Sequence, residues 1–335
     1  MSVETGGISG KFEEAVIKNA APDHGGMSTA LRRNLSSPWA TGTVIVLTVL
    51  WTIPTFGLFV TSLRTSADAN KTGWWTAFFH PSFTLDNYQQ VLNGGPDFQG
   101  GIWPFVVNSF VISIPAAIIP LILAIMAAYA LAWIPFKGAN FVFLGIFALQ
   151  VVPLQMALLP LLTLFNKGWF GLPSLKQVLQ TTPGLEFLWP KGGVSFVPLW
   201  IAHSMFALPL AIFLLHNFIN QLPKDLFEAA RVDGASHFLI FYRIVLPLSV
   251  PAIASFAIFQ FLWVWNDLLV ALTFAGGTPD VAPITQYLSS IQGTYGAQLH
   301  LVTAGAFLAI IVPVIVFFSL QRFFVRGLLA GSVKG

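Results

Sequence analysis

The chain has 335 residues, 56% of them hydrophobic and only 9% charged, with 16 Lys and Arg against 13 Asp and Glu. A soluble domain carries about a quarter charged residues, so this chain could not clothe a water-facing surface, and an apolar surrounding is implied. The lack of cysteine excludes disulfide frameworks, thiolate metal sites and thiol chemistry. A net charge of +3, with the basic residues scattered, gives no reason to expect a nucleic acid partner.

Residues 1–38 are polar and contain no apolar core of a signal peptide. They read as a largely disordered tail with one short helix around Lys11–Asn19. A hydrocarbon core of about 30 Å requires roughly 20 apolar residues in a helix. Six stretches qualify: Ala40–Leu63, Pro104–Ile134, Phe141–Phe165, Phe196–Ile219, Leu248–Phe274 and Leu301–Phe324. The predicted fold is therefore all-α with six transmembrane helices. Residues 39–103 hold the first span and a long outside loop, residues 104–322 the transmembrane core with an inside loop at 221–247, and residues 323–335 a short tail. The 28 glycines and 22 prolines fit this reading, because transmembrane helices tolerate both better than soluble ones.

With the N-terminus inside, the inside segments hold Lys11, Lys18, Arg32, Arg33, Lys137, Lys224, Arg231, Arg243, Arg322, Arg326 and Lys334. The outside segments hold only Arg64, Lys71, Lys167, Lys176 and Lys191. The positive-inside rule then puts both termini in the cytoplasm of a multi-pass protein.

No phosphate-cradling G-x-x-x-x-G-K-[ST] loop occurs, nor an H-E-x-x-H metal motif. His203 and His216 are thirteen positions apart, which is no metal spacing. No catalytic set and no metal site is expected, and the energy for any work must come from elsewhere.

The 221–247 loop is the most informative segment. Pro223 suits a helix start and Gly234 a helix stop. Between them Leu226, Phe227 and Ala230 share an apolar side, while Lys224, Glu228 and Arg231 are spaced to pair. A helix this short is marginal alone and must pack against something. Ser236 suits the cap of a second short helix running to Arg243, and Leu246-Pro247 is expected to break the chain before the fifth span. Glu228-Ala229-Ala230, three residues, Gly234, nine residues, Ile244, one residue, Leu246-Pro247 resembles the EAA loop of bacterial ATP-driven importer permeases, at every defined position. That resemblance implies a coupling helix docking on an ATPase subunit through Glu228, Ala229, Ala230, Arg231, Asp233 and Gly234, with Ile244, Leu246 and Pro247 completing the loop.

Further segments narrow the resemblance. Asn108-Ser109, Ala127-Ala128-Tyr129-Ala130-Leu131, Phe136-Lys137-Gly138 and Phe261–Leu269 are similar to the second permease subunit of maltose-type carbohydrate importers. Ser62-Leu63-Arg64-Thr65 and Thr72–Trp75 resemble α-glucoside-type permeases. The resemblance implies a type I ABC importer permease fold in a bacterial inner membrane. It also implies a second homologous permease, two ATPase subunits carrying ATP and Mg, an extracytoplasmic sugar-binding protein, and no cofactor on this chain. The C-terminal Gly331, Ser332, Val333, Lys334 and Gly335 resemble a tail that reaches the ATPase interface.

Polar groups inside spans are costly and usually face a partner or a water-filled path. Trp265, Asn266 and Asp267 offer an aromatic face, an amide and a carboxylate, as a sugar path would; equally, they suit bonds to neighbouring helices. Gln150 and Gln155, flanking Pro153, and Gln260, seven residues before Asp267, are further path candidates. Two other readings stand beside the sugar importer: an ATP-driven importer of another cargo and an ion-coupled secondary transporter. The latter would be expected to carry intramembrane charge pairs and an inverted repeat.

Overall fold

The computed structural model describes residues 38–94, 100–291 and 298–330, with side chains up to residue 321. The expected short helix near Lys11–Asn19 and the 331–335 tail lie outside the described residues. Helices dominate, and among the described residues no strand forms beyond two isolated bridges.

Among the described residues five helices are long and apolar enough to cross a membrane, and one bent pair makes a sixth candidate if it counts as a single span. The first is α1, Pro38–Ser62. The chain divides within this helix, between Leu58 and Phe59, into two compact units. In the first unit, Trp39 and Trp51 are exposed along with most of their neighbours, as expected of a span without a water-facing side.

After α1 the second unit holds a folded segment where the sequence suggested only a long outside loop. It contains α2 (Ser66–Lys71), a 3₁₀ turn (Trp74–Phe78) and α3 (Asp86–Asn93). Arg64 is its hub. Its buried guanidinium donates to the Thr72 carbonyl at 3.1 Å and to the hydroxyls of Thr72 and Thr76. Asn87 Nδ2 donates to the carbonyls of Ser62 and Arg64, both at 2.8 Å. The Asp68 carboxylate accepts from the hydroxyls of Ser82 and Thr65.

The core is built on α4 (Trp103–Trp133) and α8 (Val197–Ile219), between which lie α5 (Ala139–Leu149), α6 (Leu154–Asn166) and α7 (Leu175–Thr181). Ala116, Pro120, Ala124 and Ala128, each four residues apart, form a buried seam on α4. Ala207, Ala211, Leu215 and Ile219 do the same on α8. Four-residue spacing keeps such residues on one face, and small side chains let two backbones approach closely where lipid provides no hydrophobic drive. Trp200 Nε1 adds a 2.8 Å bond to the Val111 carbonyl.

Two expected spans are interrupted. The third is not one helix over Phe141–Phe165 but α5 and α6, bent by 97°. Gln150, Val151 and Val152 make tight i→i−3 bonds before Pro153, which has no N–H and disfavours helical geometry in the residue before it. The fifth starts earlier and ends earlier than Leu248–Phe274. It follows the short helix α9 (Lys224–Val232) and runs unbroken from His237 to Trp265 as α10 (His237–Ile240), a π turn (Phe241–Val245) and α11 (Leu246–Trp265). The expected break at Leu246-Pro247 is therefore absent. The Leu246 N–H bonds to the Phe241 carbonyl five residues back, and the widened turn absorbs Pro247 without a kink.

After Asn266 a new helix begins, α12 (Leu269–Phe274), followed by α13 (Ile284–Ile291) and α14 (Leu299–Ala330). Asn108 Nδ2 donates to the carbonyls of Pro279 and Ala282 at 2.6 and 3.0 Å, and Ser109 Oγ accepts from the Ile284 N–H at 2.8 Å. These bonds clamp the α12–α13 connection onto α4.

The 64–94 segment should respond to acid. The hydroxyls of Ser82 and Thr65, with help from Arg64 and Lys71, hold the Asp68 carboxyl below the usual carboxylate range. A depressed folded pKa gives stability that is present above the unfolded value of about 3.9 and lost as pH falls through the folded value. Protease protection of residues 64–94 is expected to hold down to about pH 4 and to fall below it. Asp68→Asn should flatten that fall, and an unchanged acid profile in this variant would remove Asp68 as its cause.

Candidate functional site

The first candidate site is the 221–247 loop. Pro223 caps α9, and Gly234 ends it at a φ of +79°. The Gly234 N–H bonds to the Arg231 carbonyl at 3.0 Å and the Ala235 N–H to the Ala230 carbonyl at 2.9 Å, the paired bonds of a Schellman stop. A Cβ on Gly234 would meet nothing within 4 Å. The backbone angle alone demands glycine within this chain; bulk there can offend only a docked partner. Ser236 caps α10 by accepting from the Leu239 N–H at 3.3 Å, as its position in the sequence suggested.

Phe227 anchors the loop. Its ring is 1% exposed and stacks on Trp133 at the end of α4, with centroids 3.7 Å apart and planes 9° apart. Arg231 donates to the Trp133 carbonyl at 3.3 Å, and among the described residues Glu228 forms no ion pair with Lys224 or Arg231, contrary to the spacing argument. Tyr129 OH lies 3.0 Å from His237 Nδ1, tying the next helix to α4 as well. The loop is thereby fixed to the end of α4 by two aromatic contacts.

Glu228, Ala229, Arg231, Asp233 and Gly234 face outward, as does Pro247. Ala230, Ile244 and Leu246 instead pack against the core cluster around Phe227, Ile240 and Val245. Leu226, expected beside Phe227, is exposed, and so are Val232 (87%), Phe238 (77%) and Tyr242 (63%). The rings of Phe238 and Tyr242, one helical turn apart, lie parallel at 6.4 Å. Sequence reasoning missed these last three; the four-residue spacing of Phe238 and Tyr242 was the available signal.

The second candidate site lies where the interrupted spans meet. Trp265 is not on any opening: it is 2% exposed, packed on Phe110 and Phe261, with Nε1 bonded to the Ala309 carbonyl. Gln260, also 2% exposed, donates to the Ala116 carbonyl at 3.3 Å. Both are packing residues. Gln155 is exposed on α6 but lines neither of the clefts described next. Asp267 lies at a cleft edge with its carboxylate engaged. It accepts from the N–H groups of Val270 and Ala271 at 3.4 and 3.1 Å, capping α12, and lies 3.7 Å from His203 Nε2. Its own carbonyl accepts from Thr285 Oγ1 at 2.5 Å.

One cleft, of about 610 Å³, is lined by Phe259, Leu262, Trp263, Asn266, Asp267 and Phe317 among others. A second, of about 410 Å³, is lined by Gln150, Pro153, Met205, Phe206, Pro209 and again Trp263. Among the described residues no group of His, Asp or Glu is placed to hold a metal ion.

The described residues thus form a helical bundle with apolar spans that holds out a short capped helix on aromatic anchors. Comparison with known proteins gives the family. Residues 120–329 match the family described as binding-protein-dependent transport system inner membrane component, and the chain belongs to it. It is 48% identical over 295 residues to the osmoprotective compounds uptake permease protein GgtD of Synechocystis sp., covering 87% of this chain and 90% of that one. It is 46% identical over 276 residues to the alpha-glucoside transport system permease protein AglG of Rhizobium meliloti, covering 82% and 67%. The fold also matches a chain of a bacterial ABC transporter that imports the acidic polysaccharide alginate, with a TM-score of 0.60 at 17% identity over 85% of this chain and 96% of that one.

Removing the anchor should free the loop from the bundle. Phe227→Ala deletes a buried ring and is expected to cost about 3 kcal/mol locally. Hydrogen exchange across 224–245 should quicken while exchange in α4 and α8 stays slow. Unchanged protection of the loop would show that the Trp133 stack does not hold it.

Proposed function

We propose that this chain is the permease subunit of an ATP-driven sugar importer, taking small neutral α-glucosides. The relatives named for α-glucosides and for osmoprotective compounds are matched almost equally well. A small uncharged glucoside satisfies both descriptions. In this reading the chain pairs with a second, homologous permease to form the path across the membrane. Sugar arrives from an extracytoplasmic binding protein. ATP and Mg bind, and hydrolysis occurs, on two separate ATPase subunits. Both termini and the 221–247 loop lie in the cytoplasm.

The observation that carries this reading is the outward face of the loop. Glu228, Ala229 and Gly234 are exposed there, and so are Val232 and the stacked pair Phe238 and Tyr242. Exposed apolar side chains on a polar loop suit contact with a protein partner. The ATPase groove receives α9, and closure of the ATPase dimer on ATP pushes it. Because Phe227 and His237 are tied to α4, the push moves the bundle as a body and alternates its openings.

The test is uptake by the assembled transporter, co-expressed with its permease and ATPase partners and its binding protein. Labelled trehalose, sucrose or maltose should accumulate in an ATP-dependent manner. Gly234→Val places a β-branched residue at a positive φ and adds bulk on the docking face, and is expected to lower uptake at least tenfold with the chain still inserted. Gly234→Asn, which tolerates that backbone angle, should retain most of it. Uptake driven by a proton gradient in place of ATP, or normal uptake by Gly234→Val, would overturn the docking role; import of a non-sugar cargo alone would overturn the substrate.

A further inference from the structure

Trp263, near the end of α11, is 37% exposed and lines both clefts. An edge-to-face contact with Phe259, 5.7 Å between centroids at 70°, fixes its orientation. The helix breaks converge on it from two directions. On one side the 97° bend between α5 and α6 leaves the carbonyls of Gln150, Val151 and Val152 outside either helical ladder. On the other, the chain stops being helical at Asn266 and restarts at Leu269. Backbone that leaves the helix inside a bilayer is tolerated only where it is buried in protein or lines a wet cavity. Two such breaks facing one aromatic residue mark a place where polar ligand atoms can be met.

The chemistry of the lining selects the ligand. Trp263 offers an apolar face of the size of a pyranose ring. Gln150 offers both ends of an amide. Asn266 donates its Nδ2 to the Leu262 carbonyl at 2.8 Å, so its Oδ1 is the end left to accept from a hydroxyl. Neither cleft is lined by Lys, Arg or His. The one carboxylate, Asp267, is engaged by two backbone N–H groups and His203. An anionic sugar would find no cation here, and a cation would find the carboxylate already taken. A neutral ring with hydroxyls on its rim fits.

We infer that Trp263, flanked by Gln150 and Asn266, is the sugar-contacting shelf of this subunit, on which a neutral glycosyl ring stacks as it crosses. The inference rests on the sugar-importer reading and adds to it the residues that contact the sugar. It replaces the buried Trp265 with a tryptophan two positions earlier, on nearly the opposite side of the helix.

The experiment uses the complete transporter in proteoliposomes, with its binding protein and labelled trehalose, sucrose and maltose as probes. Trp263→Ala is expected to lower uptake of the preferred sugar about tenfold and to change the ratio among the three, while Trp263→Phe loses about twofold. Because this chain has no cysteine, Asn266→Cys creates a thiol unique within it, and labelling is read on this chain after the subunits are separated. Its maleimide labelling should slow at least threefold when sugar-loaded binding protein is present, and not with the sugar-free form. Wild-type rates and ratios in Trp263→Ala would overturn the shelf. So would labelling that ignores sugar, whether fast throughout or blocked throughout because the second permease covers the cleft. If Trp263→Ala fails to assemble, the Phe variant and the thiol decide. Failure of the unaltered transporter to import any of the three sugars would overturn the sugar reading itself, an outcome distinct from the others.

Discussion

A hydrocarbon interior offers a backbone N–H or carbonyl no partner except another part of the protein, and leaving one bare costs several kcal/mol. This single constraint orders the molecule. It requires long uninterrupted helices wherever the chain faces lipid, and α1, α4, α8 and α14 obey it. It then confines every departure to a lined place. The non-helical turn at Gln150–Pro153 faces a cleft, and the gap after Asn266 is closed by the Asp267 side chain, which takes up two of the N–H groups that a new helix start exposes. Asn108 and Ser109 perform the same service farther along, pairing the carbonyls of Pro279 and Ala282 and the N–H of Ile284. Several polar side chains in this bundle complete the backbone of a neighbouring element.

That accounting separates the residues that hold the structure from those free to act. Gln260 and Trp265 each spend a donor on a carbonyl of an adjacent helix and have no exposed surface left. Trp263 and Gln150 spend little and face open space. The loop divides in the same way: Phe227, Ile244 and Leu246 face the core, while Glu228, Ala229 and Gly234 face away from it. The loop thus keeps exposed side chains while α4 holds it through the terminal Trp133, and the open clefts lie elsewhere, around Trp263.

Much of this was legible in the sequence, for reasons that differ from element to element. The helices α1, α4, α8 and α14 were legible because span length and apolar content are composition properties. The stop at Gly234 and the cap at Ser236 were legible because each depends on a few adjacent residues. The bend at Pro153 and the gap after Asn266 were not, since hydropathy is blind to which backbone groups are paired. Choosing between Trp263 and Trp265 required knowing a helix face. Two residues along a helix turn it by about 200°, so adjacency to Asn266 in the sequence says nothing about which tryptophan shares its opening. The Arg64 hub was hidden because its partners, Thr72 and Thr76, are short polar residues with no pattern. The absent pairing of Glu228 shows that spacing permits an ion pair without producing one.

The π turn at Phe241–Val245 has a consequence of angular kind. His237–Trp265 is one unbroken rod of 29 residues, about 43 Å long at the usual rise, with Phe238 and Tyr242 at one end and Trp263 at the other. A π turn is a single residue carried in excess of the regular winding, and it sets the azimuth of everything beyond it relative to everything before. Were that excess removed, Trp263 would swing by about 100° around the axis while the loop end stayed still. The extra residue thus keys the two ends of the rod to each other, and a torque applied at one end arrives at the other with a fixed offset.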